Sequence, residues 1–478
     1  GGPVMDHVGL LPAYLAAGTA VLALLADLVA PGRWRLPAAA VVLGAVGTAV
    51  AAVLVGGGDP RNSFCLTADA CSYRADSFAA LVATIFAVLT VGAVALSVPV
   101  LRAGVVPAGE FCFLLAVSMT GGVMLGGARD LVFILVTVET VTIPLYALVG
   151  LRRSVRSAEA SLTFFITSVV ATSVALLGAG LLYAATGTVS VDGLGAALTA
   201  TDRPAAAAAL IPVGITLLLV GLAVKVAAVP VHGWAAPTYD GAVLPVAAFL
   251  STASKFAGIT SLLLVVAALR TRLDVVGPVL AILAVTTMTV GNLVALRQRR
   301  MVRLLAWSSI AQGGYLLAPL GALALAGADP RDLLGATLAY TAFFIILGFG
   351  VFAALIAVRG AADGGPISAY RGLVRTSWLA TVALVLALTG LAGLPPGVAG
   401  LFAKVVVIKA LVGAGSTWLA VVVALNAVIG LAYYARVIAV LFARRDPEPD
   451  AGRDAVAAGA PVGTVVEAPE LALVGAVA

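Results

Sequence analysis

Long apolar runs recur along almost the whole chain, and they leave few folds open to it. They fall near 8–30, 36–56, 77–101, 110–127, 130–151, 159–185, 206–229, 241–269, 275–296, 302–326, 332–358, 377–412 and 415–442. About 20 consecutive apolar residues suffice to cross a bilayer as a helix. Between the runs there is little to build a soluble surface. Charged residues make up 10% of the 478, against about 25% in soluble domains. The expected fold is therefore an all-α polytopic membrane protein. It has thirteen spans by this count, or fourteen if the short apolar stretch 471–478, which follows a polar tail from Arg444, begins a further helix.

The net charge of +6 calls for no nucleic-acid partner, because the arginines lie in loops rather than on one basic face. Fifteen of them follow odd-numbered spans and seven follow even-numbered ones. Loops rich in Lys and Arg stay cytoplasmic, so this asymmetry predicts an N-terminus outside the cell membrane. Gly1 to His7 carry no basic n-region, so no signal peptide is expected. Cys65 and Cys71 then fall in an outer loop, where they are either disulfide-bonded or two free thiols. Cys112, inside a span, is a packing residue. The sequence contains no metal-ligand spacing, dinucleotide fingerprint, phosphate loop or nucleophile elbow, which points any chemistry toward protons or ions.

The chain has four lysines, and all four lie in apolar stretches: Lys225, Lys255, Lys404 and Lys409. A charge deep in a membrane costs about 3 kcal/mol or more and marks a functional site by default. Lysine, unlike arginine, can surrender its proton when desolvated. Glu139 is the one acid deep in a span, and it suits the role of counter-ion to a buried lysine. Lys225 precedes Pro230, which cannot donate a backbone hydrogen bond and breaks a helix. Lys404 follows Pro395-Pro396 in the twelfth span. Paired broken helices beside charges recur in transporters built from internal repeats. Lys255 sits mid-span after Ser251-Thr252-Ala253-Ser254, whose hydroxyls suit water. Lys409 lies near a span end and is read as a snorkelling side chain. Arg436 is read as ion-paired or snorkelling. His232, just past Pro230, is either a proton relay or a hydrogen-bonded structural histidine.

Several separated segments, in order, resemble the antiporter-like membrane subunits of respiratory complex I, the NADH–quinone oxidoreductase. They are Ile143-Pro144-Leu145-Tyr146-Ala147-Leu148, Ser157-Ala158-Glu159-Ala160, Leu182-Tyr183-Ala184-Ala185-Thr186-Gly187-Thr188, Ala248-Phe249-Leu250-Ser251-Thr252-Ala253-Ser254-Lys255, Gly291-Asn292-Leu293-Val294-Ala295-Leu296-Arg297-Gln298 and Arg303-Leu304-Leu305-Ala306-Trp307-Ser308-Ser309-Ile310-Ala311-Gln312. The resemblance spans about 10–442. It implies fourteen helices with two inverted five-helix repeats and discontinuous seventh and twelfth helices. The divisions are then 1–105 (helices 1–3), 106–270 (helices 4–8), 271–443 (helices 9–13) and 444–478 (polar tail and start of a last helix). It also implies that Glu139 pairs with Lys225, that Lys255 is the central lysine and that Lys404 ends the proton path. Gly233 and Ala403 depart from the family's usual residues without touching a proton-bearing group.

The function so implied is proton translocation from cytoplasm to outside, along Glu139, Lys225, Lys255 and Lys404 with His232. It would be driven by electron transfer in other subunits of a bacterial cell-membrane complex. No cofactor is expected in this chain; NADH, FMN, iron–sulfur clusters and quinone belong to partner subunits. The expected partners are other membrane-arm subunits and membrane lipids. The alternative is the D-type subunit of a multi-subunit sodium/proton antiporter.

Overall fold

Each apolar run becomes a helix, and polar caps set where several of them begin. The computed structural model describes residues 5–67, 70–200, 202, 204–361 and 363–444, so the proposed last helix lies outside the described residues. Helices α1 (Leu11–Val29) and α2 (Arg35–Gly56) come first. An antiparallel hairpin follows, β1 (Arg61–Thr67) with β2 (Ala70–Ala75), in a register that sets Ser63 opposite Tyr73 and Cys65 opposite Cys71. The hairpin was not foreseen from the sequence. A disulfide joins Cys65 to Cys71. Asp76 caps α3 (Ser77–Arg102) by accepting from the Ala79 amide at 2.9 Å. Helix α4 is Ala108–Leu125. Asp130 caps α5 (Leu131–Gly150) through the Phe133 amide at 2.7 Å. Ser154 and Ser157 form a reciprocal cap on α6 (Val155–Thr186), which Gly187 ends in the left-handed region at φ 74°.

A short helix, α7 (Val191–Ala197), precedes α8 (Ala205–Ala223). The seventh crossing then breaks and resumes as α9 (Ala235–Gly241), so it continues past the expected end at 229, and the eighth begins later than 241. That eighth crossing is α10 (Leu244–Phe249), one π turn (Leu250–Ser254) and α11 (Lys255–Ala268). Helices α12 (Leu273–Ala295), α13 (Met301–Gly321) and α14 (Pro330–Arg359) follow. The twelfth crossing is the broken pair α15 (Trp378–Ala392) and α16 (Val398–Gly413), and α17 (Thr417–Phe442) is the last described. Eleven crossings are long and apolar enough by themselves to span a membrane, with α10, the π turn and α11 taken together. With α13 and the α15–α16 pair they make thirteen among the described residues.

Alternating helix directions give the bundle two ends. The hairpin end carries β1, β2, the start of α3 and the end of α11. The arginine-rich end carries the loops around Arg152, Arg300 and Arg375. The crossing 244–268 is the axis of the bundle, with 94% of its window buried. Helices α1, α2 and α17 instead present leucines and valines outward, as lipid requires. Small residues let inner helices approach. A Cβ on Gly221 of α8 would lie 2.6 Å from the Ala171 carbonyl of α6.

Candidate functional site

The first break exposes backbone groups that the fold then satisfies one by one. Ala227 takes a left-handed conformation (φ 59°) and Val229–Pro230 is cis. The Val229 amide donates to Thr287 Oγ1 at 2.9 Å, and Trp234 Nε1 donates to the Val224 carbonyl at 3.0 Å. Just before the break, Lys225 is buried, and its Nζ donates to Glu139 Oε1 at 2.7 Å. Ser168 Oγ (2.5 Å) and Thr142 Oγ1 (3.3 Å) complete its shell. Glu139 also accepts from Thr172 (2.5 Å), Thr142 (3.2 Å) and Tyr146 (3.3 Å). Its side chain keeps 18% exposure against 2% for Lys225, so the pair is enclosed on the lysine side and reachable on the carboxylate side.

Lys255 starts α11 immediately after the π turn. Its ammonium donates to the Val226 carbonyl at 2.9 Å and to the Ser309 carbonyl. The first acceptor is free because the residue four on, Pro230, has no N–H to donate. The Phe344 ring lies 5.8 Å from Nζ. Among the described residues Lys255 makes no salt bridge.

The second break repeats the arrangement of lysine and freed carbonyls. Gly393 is left-handed and Pro395–Pro396 is cis. Lys404 Nζ donates to the carbonyls of Leu391 (2.8 Å) and Ala392 (2.6 Å), and the Tyr315 ring lies 5.3 Å away. Helix α13 spans the gap between the two lysines. Ser309 meets Lys255, and Gln312 Nε2 donates to the same Leu391 carbonyl at 3.1 Å and to Tyr434 at 3.2 Å. Tyr340 donates to Gln312 Oε1 at 2.5 Å, and Ser308 pairs with Tyr434 at 2.5 Å. Ser308, Ser309 and Gln312 lie in a segment that resembles the family, but the sequence alone gives them no role. The available signal was three buried polar residues at helical spacing in an apolar span.

Other candidates are placed less centrally. His232 stacks edge-on to Trp307 at 5.3 Å, with Nδ1 buried and unpartnered, and no hydrogen bond ties it to a lysine. Lys409 is exposed on α16. Cys112 is buried and free. Arg436 makes no salt bridge among the described residues. It caps α12 by donating to the carbonyls of Leu296 (2.6 Å) and Gln298 (2.8 Å). Among the described residues no group of three His, Cys, Asp or Glu is placed to hold a metal.

A row of buried lysines at two broken helices, with one carboxylate at its head, can be compared with known proteins. Residues 128–430 match the family described as NADH:quinone oxidoreductase/Mrp antiporter, TM. The chain belongs to that family. NADH-quinone oxidoreductase subunit N of Salinispora tropica is 56% identical over 93% of this chain and 86% of its own length. Among solved structures, a chain of respiratory complex I from Thermus thermophilus is similar at a TM-score of 0.71 and 29% identity, over 94% of both chains. A chain of the Mrp complex from Dietzia sp. is similar at 0.74 and 26%, over 91% of this chain and 81% of that one. Within this NADH:quinone oxidoreductase/Mrp antiporter family, the matched segment 128–430 contains Glu139, Lys225, Lys255 and Lys404.

Proposed function

We propose that the chain serves as a proton-translocating membrane-arm subunit of a bacterial NADH–quinone oxidoreductase, in the position of subunit N. The divisions 106–270 and 271–443 act as its two inverted repeats. The observation that carries this reading is the Glu139–Lys225 ion pair at the first break, joined to Lys255 through the adjacent Val226 carbonyl. Redox chemistry stays in partner subunits that hold FMN, iron–sulfur clusters and quinone. This chain moves charge only.

In the proposed cycle Lys225 receives a proton from the arginine-rich, cytoplasmic side and stays charged while Glu139 faces it. Two unit charges about 4 Å apart at an effective dielectric near 20 attract by about 4 kcal/mol, or about three powers of ten in proton affinity. Drawing the Glu139 charge toward a neighbouring subunit removes that attraction, and Lys225 releases its proton toward Lys255. The Ser309–Gln312 segment of α13 carries it on to Lys404, which releases it at the hairpin side. His232 and Trp307 stand at the cytoplasmic approach to the break.

The test is the proton-to-electron ratio of the assembled complex in vesicles. Lys225→Ala and Lys404→Ala should lower it, and an unchanged ratio in both assembled variants would refute the route. The likeness to the Mrp complex favours a second reading, a gradient-driven antiporter subunit. Purification from native membrane decides between them, since flavin and iron–sulfur subunits accompany the chain only under the first.

A further inference from the structure

We propose that a cavity at the hairpin end is a binding site for one glycerophospholipid, with its phosphate on Arg74 and Arg129 and an acyl chain on α11 and α14. Helices α3 and α14 touch midway along their length, where a Cβ on Gly92 would lie 2.8 Å from the Phe349 ring. Nearer the hairpin they leave a cavity of about 440 Å³ between α3, α7, α11 and α14. That volume lies within the range of about 300–1,000 Å³ usual for ligand sites. Its walls divide by chemistry. Arg74, Arg129 and Asp192 form the end nearest the loops, while Leu264, Leu334 and Leu338 form the end nearest the bilayer centre.

At this end Arg74 makes no salt bridge among the described residues. Arg74 Nε is enclosed by protein with no hydrogen-bond partner. That Nε is closed off from the cavity, so an occupant meets the rest of the guanidinium, and a part-buried guanidinium without a counter-ion favours an occupant that supplies an oxygen anion. Arg129 is already held, with Nη2 on Asp76 at 2.5 Å and Nη1 on the Ala128 carbonyl at 3.1 Å. It is a fixed second cation rather than a free one. Asp192 is exposed at the rim. Guanidinium groups suit phosphate oxygens in particular. The cavity lies where α3 begins, α11 ends and α14 begins, which is headgroup depth for helices that span the bilayer. An anion alone would leave the leucine wall empty, and a hydrocarbon alone would leave Arg74 unpaired. A phospholipid satisfies both ends. This proposal goes beyond the translocation reading and does not depend on it.

The test uses the purified complex in nanodiscs containing a phosphatidylglycerol with a photoactivatable acyl chain. Cross-linked peptides are then mapped by mass spectrometry. The expected result is labelling of the α11 end and the α14 start, reduced at least fivefold in Arg74→Gln and in the cavity-filling Leu338→Trp. A photoactivatable diacylglycerol, lacking phosphate, should label at the level of Arg74→Gln. Inorganic phosphate should not compete. Equal labelling of wild type and Arg74→Gln overturns the proposal, as does equal labelling by the diacylglycerol, displacement by free phosphate, or cross-links to a neighbouring subunit in place of lipid. If Arg74→Gln does not assemble, Leu338→Trp alone decides, and unchanged labelling there counts against the site.

Discussion

Lys255 Nζ donates to the Val226 carbonyl at 2.9 Å, so the central lysine is bonded to the residue next to Lys225. The bond exists because the seventh helix stops there. The carbonyl of Val226 has no helical donor, because the residue four on is Pro230, which lacks an N–H. The break thus frees an acceptor for one lysine beside another, and Lys404 with the Leu391 and Ala392 carbonyls repeats the device at the twelfth crossing.

Removing either half of the Glu139–Lys225 pair should do more harm than removing both. Glu139→Gln leaves a buried ammonium without a counter-ion, held only by neutral acceptors: the amide oxygen, Ser168 and Thr142. Loss of one partner of a buried pair costs up to about 3–5 kcal/mol, and the remaining hydroxyls place this site at the low end. Thermal unfolding of the purified complex should show Glu139→Gln well below wild type and Glu139→Gln/Lys225→Met close to it. Both should have lost proton transfer. A double variant no more stable than the single one would show that the pair is not the source of the cost.

Gly313 of α13 offers a way to displace Lys255 without changing it. A Cβ there would sit 3.0 Å from both Val226 Cγ1 and the Val226 carbonyl oxygen, and 3.4 Å from Lys255 Nζ. Gly313→Ala should therefore assemble and lower the proton-to-electron ratio severalfold. Gly180→Ala, which faces open space, should leave it intact. Equal ratios in the two variants would mean that the position of the ammonium is unimportant.

Gln312 should matter as a connection. Its amide holds Leu391, Tyr434 and Tyr340 at once. Gln312→Leu would orphan these groups at about 1–3 kcal/mol each if nothing replaces them. The expected phenotype is lower stability together with slowed proton transfer. Gln312→Glu, which keeps the acceptor for Tyr340, should retain more activity than Gln312→Leu in the same vesicle assay.

A further prediction concerns acid at the arginine-rich end. Arg300 donates to both Asp240 oxygens at 3.0 Å and to Asp363 at 3.0 Å, pinning the loop after α14 to the end of α9. Burial pushes the Asp363 carboxyl upward, but the Gly365 amide and the charges of Arg300, Arg152 and Arg156 outweigh it and hold it below its ordinary 3.8. A lowered folded-state value means that the stabilisation is complete above about pH 4 and is lost as pH falls through the lowered value. Hydrogen exchange around 361–366 should stay flat from pH 8 to 5, after correction for intrinsic rates, and rise only below about 4. A transition between pH 5 and 7 would assign the latch to another group.

The hairpin reports orientation. In intact cells, an impermeant reductant followed by an impermeant maleimide should label Cys65 and Cys71 if the hairpin faces outward. Labelling only after permeabilisation would reverse the topology read from the arginine loops.

Much of this was legible from residue order alone. Helical spans follow from apolar length, because backbone groups in lipid must be bonded within the chain. The broken helices follow from Pro230 and Pro395-Pro396, and Glu139, Lys225, Lys255 and Lys404 stand out because a charge in an apolar run is expensive. Arg436 shows the limit: its type and depth are visible, but its partners, the Leu296 and Gln298 carbonyls just past the end of α12, lie about 140 residues away. The β-hairpin was missed because its strands are short and polar, and a two-strand ribbon depends on what it packs against. Here that is Tyr73 in a small cluster with Leu10, Val55 and Ala75.

By itself, then, the sequence determined which residues carry charge into the membrane and where the helices cannot continue, since both depend on local covalent chemistry and solvation. Tertiary structure alone decided what those charges touch. Whether Lys255 meets a carboxylate or a carbonyl, and whether Gln312 bridges to the second break, depends on how distant helices rotate and approach. No local rule specifies that geometry, because it is set by the simultaneous packing of every crossing around the buried axis 244–268.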